Sequence, residues 1–154
     1  MNVDFSAFPN EKYPEHEAIT SRSGIESSDV DTFFRGRRRW DITARQLNEE
    51  YKHDPSACLG FMTPGAFSFF APLYLRMMLQ GSELYGAFPD SVLNEFHRLV
   101  ADHDSSRLDV MLEKYSKKQW AVVVESLVSI CNREEWNCFH ELVTSTLDGL
   151  RRKL

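Results

Sequence analysis

The sequence predicts an all-α fold: a single compact multi-helix domain around a central, proline-kinked hydrophobic helix at about residues 64–80. Three observations predict it. Helix-start signals recur along the chain, apolar residues follow them at helical spacing, and strand signals are poor. The only β-branched run, Val122-Val123-Val124, lies inside a strong helical pattern, and no hairpin dipeptide joins two alternating segments.

The elements follow in order. Residues 1–14 are expected to be extended or poorly ordered. A first helix is expected between Glu15 and Arg22, and a second from Ser28 to Arg35. Thr43 with Gln46 forms a capping box, and Ile42 and Leu47 are placed as its hydrophobic staple. Thr63-Pro64 is a cap followed by proline at the first helical position. Gln80 to Pro89, with two glycines and a proline, is the main internal loop. A helix opening near Asp90 presents Val92, Phe96, Leu99, Val100 and His103 on one face. Ser106 with Asp109 opens the next, with Leu108, Met111, Leu112 and Tyr115 as its apolar stripe. Ser116 and Gln119 repeat the capping box ahead of Trp120, Val123, Val124, Leu127, Val128 and Cys131. Asn132 and Glu135 give a looser version before Trp136, Phe139, Val143, Leu147 and Leu150, and the chain ends in basic residues suited to a helix C-terminus.

The central segment reads PGAFSFFAPLYLRMMLQ. Ser68, Pro72, Arg76 and Gln80 are spaced by four and share one line of the helix, while the rest of the cylinder is nearly all apolar. Such a helix must be surrounded, which makes it the spine of the domain. A membrane span is not expected, because the run is short of the ~20 residues required and contains Arg76. Pro72 removes one helical hydrogen bond and crowds the carbonyl of Ser68, so a kink is expected there. A small pocket lined by Ser68, Tyr74 and Arg76 is the functional alternative to a bent core helix.

Composition is that of one globular domain. The 154 residues are 42% hydrophobic and 27% charged, with eleven Phe and three Trp for the core. The N-terminal MNVDFSAFPNEKYPE lacks a basic region followed by an apolar run, so no secretory signal is expected. Three widely placed cysteines, Cys58, Cys131 and Cys138, suggest reduced thiols and a cytoplasmic location. Cys58, ahead of the spine helix, is the one expected to be accessible. The net charge of −5 resides wholly in residues 1–34, where seven acids face two bases; from Arg35 onward sixteen acids balance sixteen bases. That sign argues against nucleic acid, which needs a basic face.

No site signature emerges. The five histidines show no metal-ligand spacing, there is no nucleophile elbow or phosphate loop, and Glu134-Glu135 are consecutive; catalytic, metal and cofactor residues are therefore none. Arg35-Gly36-Arg37-Arg38-Arg39-Trp40 is the one basic cluster, and internal pairing with Asp29, Asp31 or Asp41 is the expectation for it.

Phe61, Met62, Pro64, Phe67, Phe69 or Phe70, Pro72, Tyr74 and Leu75 fit the pattern Phe-Leu-x-Pro-x-x-Phe-x-Phe/Tyr-x-x-Pro-x-Tyr-Leu, with Met62 in place of Leu. Together with Phe33, Trp40 and Leu47, this segment resembles a family of small bacterial helical proteins of no established activity. The resemblance implies a structural role for the motif. Members of such families often accompany contact-delivered toxins, which implies an immunity-type inhibitor. The expected partner is thus a protein, a basic toxin or effector, met by an acidic surface of Glu15, Glu17, Glu26, Asp29 and Asp31. The alternatives are an enzyme or small-ligand-binding protein with a pocket beside Pro72, where Ser68, Arg76 and His97 or His103 would converge, and a nucleic-acid module using Arg35 to Arg39.

Overall fold

The computed structural model describes residues 2–81 and 88–154, and the expected loop of Gln80–Pro89 falls largely outside them. Among the described residues there are eight α-helices: α1 (Ile25–Phe34), α2 (Ala44–Glu50), α3 (Cys58–Phe61), α4 (Pro64–Gln80), α5 (Phe88–Ala101), α6 (Ser106–Lys114), α7 (Lys117–Cys131) and α8 (His140–Arg151). There is no strand among them, only two isolated bridges, Lys12 with Arg38 and Thr20 with Met62. The all-α expectation holds.

The strongest local signals work as anticipated. Thr43 and Ser116 each accept from the backbone N–H of the glutamine three residues on, and both boxes close through the glutamine side chain. Thr63 accepts from the N–H of Ala66 and donates to the carbonyl of Ala18, so one hydroxyl starts α4 and fastens the preceding segment to it.

Helix α4 is the spine. Phe67, Phe70, Ala71, Leu73, Tyr74, Leu75, Met77 and Met78 are buried on it; α6 and α7 pack against it, while Phe67 meets Phe96 of α5. α5 in turn lies against α8, and α8 against α7. The line of polar residues leaves the core gradually: Ser68 and Pro72 are buried, Arg76 is half-buried and Gln80 exposed. Gly81 closes the helix at φ +87°, its N–H donating to the carbonyl of Met77. No helix among the described residues is long and apolar enough to cross a membrane.

Four expectations are corrected. Residues Glu15–Arg22 form turns and a bridge, not a helix. Their carbonyls are taken by distant donors: Arg35 reaches those of Glu15 and Glu17, and Thr63 that of Ala18. With only Ile19 buried among them, so short a segment has too little apolar face to sustain a helix against those bonds. At α6, Asp104 rather than Ser106 supplies the cap, accepting from the Ser106 N–H, while the Ser105 hydroxyl donates to Asp109. Asn132 does not open a helix: its N–H donates back to Val128 and Ile130 at the end of α7. A 3-10 run, Glu134–Phe139, follows, with Trp136 outside helical geometry, and α8 starts at His140. Finally, Cys58 is fully buried, and Cys138 is the exposed thiol. The 3-10 turn of Pro55–Ala57, capped by Asp54, runs directly into α3 and carries Cys58 inward.

The N-terminal segment is extended apart from a 3-10 turn at Phe5–Ala7, and it is a working part of the fold. Phe8 and Tyr13 are buried. The Arg38-Arg39-Trp40 segment holds it by main-chain and side-chain bonds: the Trp40 indole donates to the Phe8 carbonyl, Arg38 to that of Asn10, and the Arg39 N–H to that of Glu11.

Candidate functional site

Pro72 has no N–H, so the carbonyl of Ser68 has no helical partner. The Tyr115 hydroxyl, from the junction of α6 and α7, donates to it. One residue further on, the carbonyl of Phe69 accepts from Nε of Arg39 at 2.8 Å. The turn ahead of the proline is therefore an acceptor site, and it draws two side chains from distant parts of the chain.

Between these two side chains lies a cavity of about 280 Å³. The N-terminal segment contributes Phe8, Glu11, Tyr13 and Glu17; α4 contributes Gly65, Ser68 and Phe69; Lys114, Tyr115 and Gln119 close it from α6 and α7. Tyr13 donates to Glu17 at 3.0 Å. Gly65 leaves room for it: a Cβ there would lie 2.9 Å from the Tyr13 hydroxyl, so the phenol tip would have to shift. Burial pushes the Tyr13 phenol up to about 12 and raises Tyr115 still further, so both are neutral donors at physiological pH.

Arg39 is the one charged residue buried among the described residues, at 4% exposure. Its guanidinium lies 4.0 Å from the ring centroid of Phe69 and 5.6 Å from those of Phe8 and Trp40. Nη1 donates to the Pro9 carbonyl at 2.9 Å. Burial lowers its pKa from the ordinary arginine value.

The remaining arginines of the basic cluster are turned to internal work. Arg35 makes two bonds to Asp31, holding that carboxyl below its ordinary value, and Arg37 pairs with Glu50 at 2.6 Å. Of the five acids expected to form one surface, Arg35 holds the carboxylate of Asp31 but only the backbone carbonyls of Glu15 and Glu17, and the Glu17 carboxylate accepts from Tyr13. Asp29 points elsewhere and meets His53 at 2.7 Å. Two residues apart on a helix are separated by about 200°, which sends Asp29 and Asp31 to opposite flanks of α1. Glu26 is half-buried near the start of that helix.

The groups expected beside Pro72 do not converge. Ser68 lines the Arg39 cavity, while Arg76 lines another, over the Trp40 ring. Tyr74 is wholly buried, stacked on Phe88. His97 meets Thr146 at 3.2 Å, and His103 is exposed. Among the described residues no group of three His, Cys, Asp or Glu side chains is placed to hold a metal ion. Sequence reasoning missed Arg39, Tyr115, Phe8 and Tyr13. The usable signal was Pro72, whose orphaned carbonyl calls for a donor from elsewhere.

The fold and cavity together describe a helical domain with a buried cation beside a continuous helix that carries a proline inside it. No family model, curated protein or solved structure matches the chain.

Proposed function

We propose that the chain is a bacterial cytoplasmic binding protein, an immunity-type inhibitor that captures a basic toxin or effector through its acidic N-terminal region. The observation that carries this reading is Ile25. It is 79% exposed at the first position of α1, more than any other large apolar side chain among the described residues. Asp29 lies one turn on, paired with His53, and half-buried Glu26 follows Ile25 in the chain, so an exposed apolar side chain stands near two acids, which supports contact with a basic partner. The resemblance of the Phe61–Leu75 motif adds the context of contact-delivered toxins.

The test is capture of a basic protein from the native cell, followed by binding kinetics with the purified partner. Ile25→Ala is expected to weaken binding by about tenfold or more, mainly through faster dissociation. Glu15→Lys with Glu26→Lys should slow association and flatten its salt dependence. These two acids are preferred because Asp29 and Asp31 also serve internal pairs. A partner whose affinity ignores both changes would remove the acidic-surface reading.

A second reading is a small-ligand-binding protein, favoured by the cavity next to Ser68, one turn before Pro72. Its size, about 280 Å³, lies just below the range of roughly 300–1,000 Å³ for small-molecule sites, which suits a small ligand.

A further inference from the structure

Among the described residues four arginines each clamp two or more backbone carbonyls, and comparing them isolates one. Arg35 holds the carbonyls of Glu15 and Glu17 and carries Asp31 at 2.5 Å. Arg107 holds those of Leu59, Gly60 and Met62 and carries Glu95 at 2.5 Å. Arg133 holds those of Met78 and Leu79 and carries Glu135 at 3.3 Å. Arg39 holds those of Pro9 and Phe69, but its nearest carboxylate, Glu11, is 3.9 Å from Nη2 and largely exposed. The order of burial runs the other way. The Arg39 side chain is 5% exposed, against 20–34% for the other three. The most deeply buried cation thus has the weakest counter-ion, although a buried charge needs a close partner most.

A guanidinium has five N–H donors in a planar fork. Nε and one N–H of Nη1 are used on the two carbonyls. Nη2, with the separation to Glu11 too long for a hydrogen bond, keeps both of its donors. Arg39 and Glu11 both line the cavity, whose charged lining adds Lys12, Lys114 and Glu17, three cations against two carboxylates, and whose walls include Phe8 and Phe69. We infer that this cavity binds a small organic carboxylate with an apolar or aromatic body, its oxygens taken by the Nη2 edge of Arg39 and its body packed against Phe8 and Phe69. A carboxylate is the planar acceptor that suits a guanidinium edge, and the aromatic walls suit a ring. This inference rests on the small-ligand reading and gives that ligand its chemistry.

The experiment compares benzoate, its neutral isostere benzamide, and inorganic phosphate, each titrated into the wild-type protein at millimolar concentration. Binding is followed by calorimetry and by the NMR signals of the Arg39 side chain, Ser68 and Tyr115. Benzoate should shift these signals and bind about tenfold or more tightly than benzamide, the difference expected of about 1.4 kcal/mol. Arg39→Lys, checked for an unchanged circular dichroism spectrum, should erase that preference; the exposed Lys114→Ala should reduce benzoate affinity only slightly. Benzamide equal to benzoate would overturn the carboxylate inference while leaving a ligand cavity in place. Phosphate bound in preference to benzoate would overturn it too, in favour of a bare anion site. No shift with any of the three would end both the inference and the small-ligand reading. The wild-type comparison needs no variant, so a failure of Arg39→Lys to fold leaves the test intact.

Discussion

Pro72 and Tyr115 show how a single residue's missing donor is made good from a distance. The proline deletes a hydrogen bond inside the spine helix, and the tyrosine restores a partner to the Ser68 carbonyl from another element. Removing that hydroxyl leaves a buried acceptor unmet, so Tyr115→Phe is expected to cost about 1–3 kcal/mol in urea unfolding. Pro72→Ala supplies an N–H to the same carbonyl. In that background Tyr115→Phe should cost clearly less, and a double-mutant cycle measures the difference. Additive effects would mean that the hydroxyl's contribution does not depend on the carbonyl freed by Pro72, and no cost for Tyr115→Phe at all would leave only its ring packing against Phe8 and Trp120.

At the scale of elements, helix contacts are set by a few close approaches. α5 and α8 meet where Gly149 faces Val100, and a Cβ on Gly149 would stand 2.6–2.9 Å from three atoms of that valine. An exposed helical glycine usually gains stability on replacement by alanine, by up to about 1 kcal/mol. Gly149→Ala should do the reverse and lose about 1–3 kcal/mol through overpacking. The sign of the change in melting temperature decides the matter. Val100→Ala in the same chain should recover part of the loss, since it clears two of the three clashing atoms.

The whole molecule carries an unusual set of buried acids that are held neutral. Burial pushes Tyr13 and Cys58 up to about 12, and raises Tyr51, Tyr74 and Tyr115 well above the ordinary phenol value. Each folded value exceeds the unfolded one, so the native state holds these protons more tightly. Their contribution is complete below the unfolded values, near 8.5 for the thiol and 10 for the phenols, and is lost as pH rises toward the folded values. Each group adds a slope of about 1.4 kcal/mol per pH unit above its unfolded pKa. Melting temperature should therefore fall steeply from about pH 9 upward. Ionisation of Tyr13, Tyr51, Tyr74 and Tyr115, read from the phenolate absorbance of a Tyr85→Phe variant, should appear together with unfolding and not before it. On the acid side Asp31, held low by Arg35, contributes above its unfolded value near 3.9 and loses that contribution as pH falls through the folded one. A phenolate signal that precedes unfolding in the Tyr85→Phe variant would contradict the burial of these side chains.

The all-α class, the spine helix with its own start and the starting points of two other helices were legible in the chain because the physics involved is local. A capping box spans four residues, and an apolar stripe spans a few turns, so Thr43, Thr63 and Ser116 announce themselves. Weaker signals failed where tertiary bonds outweighed them, as at Glu15–Arg22, whose carbonyls answer to Arg35 and Thr63. The cavity lay beyond sequence reasoning for a related reason. Its walls come from residues 8–17, 39, 65–69 and 114–119, and no spacing rule joins them. Nothing in the run Arg35–Arg39 distinguishes the arginine that will be buried from its three neighbours. The sequence by itself determined which segments coil and which of them must be surrounded. Only the tertiary structure decided which cation the core encloses, because burial and pairing depend on how distant segments meet in space.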